Sequence, residues 1–170
     1  EALLAYQEAG RLIAPCQGMD NVKELVMMQQ IPLLLRMGAT SDVERCLDDM
    51  KSLYTHYQPH LNPFLYYYFR TYLLTSLGQT DEAERNLQQA DSLFAQKPST
   101  YYSIYKLFAH AGLEHLKGHY REAASYYLEI GNLARRSGIH LREQKANLLL
   151  AAHHKQDRNY REACAIYQLI

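Results

Sequence analysis

The tetrapeptide Tyr120-Arg121-Glu122-Ala123 recurs unchanged as Tyr160-Arg161-Glu162-Ala163, forty residues further on. The same register runs back through Ala83, in Thr80-Asp81-Glu82-Ala83, and through Val43, in Ser41-Asp42-Val43. A large residue stands four places after each of these positions: Leu47, Leu87, Tyr127 and Tyr167. Met50, Ala90, Ile130 and Ile170 form another column at this spacing, as do Leu53, Leu93 and Leu133. Gly38, Gly78 and Gly118 form a further one, and Arg158 breaks that series. Repetition at a fixed interval of roughly 20–50 residues marks a chain built by stacking equal units, because a single helical hairpin cannot bury its own apolar face.

Apolar residues inside each interval fall at three- and four-residue steps, the period of an amphipathic helix, and Gly and Pro stand at the joints. The expected fold is all-α: a right-handed α-solenoid of helix-turn-helix units, with about nine helices and no strand. The units fall at 1–18 (a second helix only), 20–59, 60–98, 99–138 and 139–170 (incomplete), one repeat domain over 1–170. Asp20, Asn62 and Ser99 stand where N-caps are expected. Ser41 with Glu44, and Asp81 with Glu84, have the spacing of a capping box. Pro32 inside a first helix predicts a kink or a late start. The second helix of the 20–59 unit is expected to reach Gln58-Pro59.

Composition removes several function classes. Lys+Arg and Asp+Glu number 18 each, so the formal net charge is zero. Nucleic-acid binding leans on clustered cations that neutralise phosphates, so this balance points away from it. No apolar run reaches the ~18–20 residues of a membrane-crossing helix, so no membrane insertion is expected. The cysteines Cys16, Cys46 and Cys164 form neither a Cys-x-x-Cys motif nor a readable disulfide framework. Read as small apolar residues, they favour a reducing compartment. A cytoplasmic location is therefore expected, with a periplasmic sensor domain as the alternative. The chain opens at Glu1 with no signal-peptide pattern, and the expectation is a piece of a longer protein.

The run Gly118-x-Tyr120-x-x-Ala123-x-x-x-Tyr127 resembles the tetratricopeptide repeat. Gly78, Ala83 and Leu87 follow that pattern more loosely, as do Tyr160, Ala163 and Tyr167. The interval here is longer than the ~34 residues usual in that family. The Trp and the Leu-Gly pair of its first helix are absent. Long units of this kind resemble those of bacterial signalling and transcription-regulatory proteins. HEAT and armadillo repeats are the runner-up architecture on period alone. The resemblance implies a sharp turn at the glycine, close helix approach at the alanine and an aromatic filling the space to the next unit. It further implies a non-catalytic protein- or peptide-binding scaffold, the interaction or sensor-regulatory segment of a larger bacterial regulator. The alternative function is a ligand-binding accessory domain with a small-molecule pocket between helices.

Signatures of catalysis are missing. The sequence has no glycine-rich phosphate loop, no Gly-x-Ser-x-Gly elbow and no His-Glu-x-x-His, so neither an enzyme nor a cofactor is expected. His115 and His119, with Glu114 adjacent, have a metal-like spacing, but Gly118 between them ends the helix, and surface histidines at a turn are the reading. The family's peptide groove is lined by first helices. On the face that contains Arg36, this chain places Tyr68, Tyr72, Tyr105 and Phe108, and then Lys145. The Lys/Asn clamp known for C-terminal carboxylates is absent from the first three units. Tyr68, Tyr72, Tyr105 and Phe108 are therefore the expected partner-binding anchors, with Arg36 and His115 as polar edge contacts. A competing reading puts the same rings in the core, where they hold units together. The incomplete last unit, with Leu148, Leu149, Ile166 and Leu169, predicts self-association.

Overall fold

A computed structural model describes residues 1–55, 61–156 and 158–167, leaving aside the side chains of Leu141 and Tyr160. The described residues form nine α-helices and no strand. These are α1 (Ala2–Ile13), α2 (Asp20–Arg36), α3 (Thr40–Leu53), α4 (Phe64–Ser76), α5 (Thr80–Gln96), α6 (Thr100–Leu116), α7 (Tyr120–Arg136), α8 (His140–Gln156) and α9 (Tyr160–Tyr167). The all-α expectation holds. The expected helix end at Gln58-Pro59, and the residues Leu169 and Ile170, lie outside the described residues.

The joints repeat one hydrogen-bond pattern. At the end of α2 the Ala39 N–H donates to the Leu34 carbonyl at 3.0 Å, and Gly38 N–H to Leu35 at 3.1 Å. The first bond recurs as Gln79 to Leu74 (2.9 Å), His119 to Glu114 (2.9 Å) and Asn159 to His154 (2.8 Å). This is a Schellman closure, which needs one residue in the left-handed region. Gly78 supplies it with φ 73°, and a Cβ added there meets nothing within 4 Å. Arg158, which breaks the glycine column, adopts the same conformation with φ 58°. The position imposes its backbone even on a residue with a Cβ. Gly78→Ala is thus expected to cost about 1–2 kcal/mol from backbone strain alone, and Arg158→Gly to gain up to about 1 kcal/mol. Urea denaturation of the two variants checks both signs.

The tight closure also overrides the expected caps. Ala39, Gln79 and His119 act as N-caps, none through its side chain. Helices α3 and α5 therefore begin at Thr40 and Thr80, and the boxes expected at Ser41 and Asp81 do not form. Carboxylates in the first turn serve instead. Asp42, Glu82, Glu122 and Glu162 occupy one register of the repeat, each at the positive end of a helix dipole. Met19, not Asp20, precedes α2, and α2 runs on through Pro32 to Arg36. Asn62 does not cap α4; its side chain is engaged elsewhere.

Each helix packs on its neighbours in sequence, and α4 meets α2 and α6 as well. No other pair of helices brings its backbones together among the described residues. The column of small or compact residues is fully buried: Val43, Ala83 and Ala123 have no exposed surface. Two apolar clusters result. One joins α2 to α5 with Tyr105, Ala109 and Leu113 of α6. The other gathers Ile104, Leu107, Phe108 and Ala111 from the opposite side of α6, with α7 and α8. Helix α6 is the wall shared by both, which is why it is apolar nearly all round. Leu148 and Tyr167 remain exposed on α8 and α9.

Candidate functional site

The helices α4, α6 and α8 each send a side chain to one cluster. On α6, Tyr105 and Phe108 are three residues apart and so share a side of the helix. On α8, Arg142 and Lys145 are spaced likewise. The two pairs stack. The Arg142 guanidinium lies 4.9 Å from the Tyr105 ring centre, and the Lys145 ammonium 4.8 Å from that of Phe108. Arg142 Nη2 also donates to the Tyr105 hydroxyl at 2.9 Å. From α4, the Tyr72 hydroxyl donates to the Tyr105 carbonyl at 2.5 Å and pins α4 to α6. Exposed Tyr101 stands beside Tyr105, their ring centres 6.2 Å apart. Exposed Arg36, the last residue of α2, is near enough to add its charge to the field at Lys145.

Electrostatics set this cluster apart. Burial, and then the charges of Arg142 and Arg36, bring the Lys145 ammonium down to about 8. Burial pushes the Tyr105 hydroxyl up to about 12, against the pull of Arg142. Burial likewise holds the Tyr72 hydroxyl well above its ordinary value. Both phenols therefore stay protonated at neutral pH: the Tyr72 hydroxyl donates to the Tyr105 carbonyl, and the Tyr105 hydroxyl accepts from Arg142. Among the described residues, no carboxylate forms an ion pair with Arg36, Arg142 or Lys145.

A lysine with a lowered folded-state pKa opposes folding while it is charged. That opposition is full below about pH 8 and fades as the pH rises toward the ordinary lysine value near ~10.4. Stability is thus expected to rise across that window, and Lys145→Met to melt higher than the parent at pH 7. Heteronuclear NMR titration of the Lys145 Nζ, with melting curves at pH 7 and pH 9, checks both statements.

The anchors expected from the sequence divide into two groups. Tyr105 and Phe108 carry the stacked cations, Tyr72 reaches the Tyr105 carbonyl, and Arg36 acts on Lys145 through its charge alone. Tyr68 does not join them: it is fully buried, and its hydroxyl donates to Asp91 Oδ1 of α5 at 3.0 Å. Asp91 also receives His110 at 2.9 Å and Lys106 at 3.3 Å. Burial alone would raise the Asp91 carboxyl, but the bonds from His110 and Tyr68 outweigh it and hold it low. That carboxylate is fully engaged by the protein's own groups, so Tyr68 braces α4 against α5. His115 is exposed at the end of α6, its ring 5.3 Å from Tyr120 and 6.1 Å from His153. It lies apart from the basic cluster. His119 pairs with Glu114 at 2.7 Å. Tyr105 and Phe108 are 2 % and 8 % exposed, so they form the floor of the site and leave its accessible surface to other groups.

Arg142 and Tyr101 escaped the sequence reading. Arg142 lies one turn before Lys145 and Tyr101 one turn before Tyr105, so extending the same face by a turn would have found both.

Two further features lie elsewhere. Glu24 is 4 % exposed and accepts three bonds: from the Tyr54 hydroxyl (2.6 Å), the Asn62 N–H (2.9 Å) and Asn62 Nδ2 (3.1 Å). A cavity of about 420 Å³ opens between α1, α2 and α3, with Val26, Met27, Gln30, Cys46 and Leu53 among its walls. Comparison of the chain with protein-family models, curated proteins and solved structures finds no match. No described helix is long and apolar enough to cross a membrane.

Proposed function

We propose that the chain is a non-catalytic scaffold that binds a protein or peptide on the face presented by α2, α4, α6 and α8. On this reading the helices form a tetratricopeptide-like solenoid, the interaction or sensor-regulatory segment of a larger bacterial signalling or transcription-regulatory protein in the cytoplasm. The observation that carries it is the cluster itself: Tyr72, Tyr105, Phe108, Arg142 and Lys145 are joined across α4, α6 and α8, with the Arg36 charge at the end of α2 acting on Lys145. Tyr and Arg are among the residues whose truncation costs most in interfaces. The forty-residue columns, buried at Val43, Ala83 and Ala123, support the repeat reading. Self-association through the last unit belongs to the same reading: Leu148 is exposed, while Leu149 and Ile166 are partly buried against the second apolar cluster.

Linear peptides selected from a random library against the intact chain test the proposal. Their binding is expected to shift the amide resonances of residues 101–108 and 142–145. It should weaken in Arg36→Glu, whose exposed side chain leaves the fold intact. Shifts confined to α1 and α3, with Arg36→Glu indifferent, would remove this site. The second reading, a small-molecule pocket, rests on the cavity between α1, α2 and α3, whose volume falls within the ~300–1,000 Å³ usual for ligand sites.

A further inference from the structure

We propose that the partner is acidic: a peptide segment whose Asp or Glu carboxylates dock between Arg36, Arg142 and Lys145 while an apolar side chain beside them rests on Tyr101. This rests on the scaffold reading above and narrows it to one chemistry. Arg142 is the orienting group. Its bond to the Tyr105 hydroxyl and its place over the Tyr105 ring fix the guanidinium plane, and one terminal nitrogen is engaged there. A fixed guanidinium presents its remaining N–H donors as a fork, the geometry that accepts a carboxylate.

Lys145 and Arg142 are both half-buried against rings, so they carry less hydration than surface cations. Elsewhere in the chain half-buried cations meet carboxylates of the protein itself, as Lys106 meets Asp91 and Lys117 meets Glu84. Here the third charge is another cation, Arg36, brought in from a different helix. Burial disfavours the Lys145 charge first and the two neighbouring cations add to that, so an anion placed beside the stacked ammonium would offset both. The groups that face Lys145 are Arg142 on its own helix, Phe108 on α6 and Arg36 on α2.

A peptide suits this surface better than a nucleic acid. The chain has no net charge and the cluster holds three cations, too few to track a phosphate backbone. A single exposed ring, Tyr101, offers one apolar contact beside them. Alternating glutamate and leucine matches this pairing of charge and apolar surface.

The test uses three fluorescein-labelled peptides of one length: alternating Glu and Leu, the same with Gln for Glu, and the same with Lys for Glu. Fluorescence anisotropy against the intact chain is expected to rank Glu at least about tenfold tighter than Gln, with Lys weakest. Added salt should narrow the gap between Glu and Gln. The double variant Arg36→Gln, Lys145→Met should erase that gap and melt no lower than the parent. Equal affinity for the Glu and Gln peptides overturns the acidic assignment and leaves the scaffold reading standing. No binding by the Glu peptide, while library-selected peptides still shift residues 101–108 and 142–145, does the same. A same-length oligothymidylate that binds more tightly than the Glu peptide also overturns it. If neither the Glu peptide nor any selected peptide perturbs this face, both readings fall together.

Discussion

Tyr105→Ala is expected to destabilise the chain by about 3–5 kcal/mol, the range for emptying a buried aromatic site. The ring is 2 % exposed and meets Phe69 edge-on at 5.5 Å in the first apolar cluster. Its other side carries Arg142, so the truncation also removes the guanidinium's support. Tyr105→Phe separates the two contributions. It keeps the ring and the backbone carbonyl that accepts Tyr72, and loses the hydroxyl's bonds to Arg142 and Tyr101. The phenylalanine variant is expected to lose about 1 kcal/mol or less, because Arg142 is half-exposed and water replaces the hydroxyl. Denaturant midpoints for the pair decide the matter. A small loss in Tyr105→Ala would mean that the ring is not packed as described. A binding defect in that variant alone would say nothing about direct contact, whereas one in Tyr105→Phe would report on the orientation of Arg142.

Glu24→Leu is expected to cost about as much, roughly 3–5 kcal/mol, by a different route. Three donors converge on the buried carboxylate, and an apolar replacement leaves the Tyr54 hydroxyl and the Asn62 amide with no acceptor there. Asn62 Nδ2 also reaches the Tyr102 hydroxyl at 3.1 Å, so the network links α2 through residue 62 to α6. Burial, with the Glu24 charge beside it, holds the Tyr54 hydroxyl far above its usual range, so this group remains a donor at any working pH. Glu24→Gln keeps one acceptor oxygen and should lose less. A double-mutant cycle with Tyr54→Phe is the sharp measurement: Tyr54→Phe should destabilise the parent and leave the Glu24→Leu background nearly unchanged. Additive losses would mean that the two groups do not share a bond.

Much of the helix order could be read from the forty-residue register, because each apolar column repeats a burial site. Val43, Ala83 and Ala123 illustrate this: small or compact residues recur where two helices touch. The helix starts were harder. Ser41 and Asp81 look like caps, but the left-handed closure at Gly38 and Gly78 makes the next residue both the end of one helix and the cap of the next. A local motif lost to a backbone geometry that glycine dictates. Asn62 looks like a cap for the same local reason, and a buried glutamate thirty-eight residues earlier claims its side chain instead. Of the site, the aromatic floor was visible in sequence because it follows helical spacing. The fate of each ring was not, since Tyr68 and Tyr72 lie one turn apart, yet one reaches Asp91 on α5 and the other Tyr105 on α6. Which neighbour a hydroxyl finds depends on the angle at which the next helix crosses, and no single helix encodes that angle.

Helix contacts confined to close neighbours have a mechanical consequence. A load applied between α1 and α9 passes through the interfaces one after another, so the molecule behaves as springs in series. Its compliance is set by its softest joint and its breaking force by its weakest. The α2–α4 meeting is slight beside that of α4 with α6, and α1 buries no residue of its own. Strain would accordingly collect at the α1–α3 end, where the cavity lies, while the doubly packed α6 kept its shape. Arg142 and Lys145, stacked on the rings of α6, would hold their geometry, while Arg36 would move with the yielding N-terminal helices.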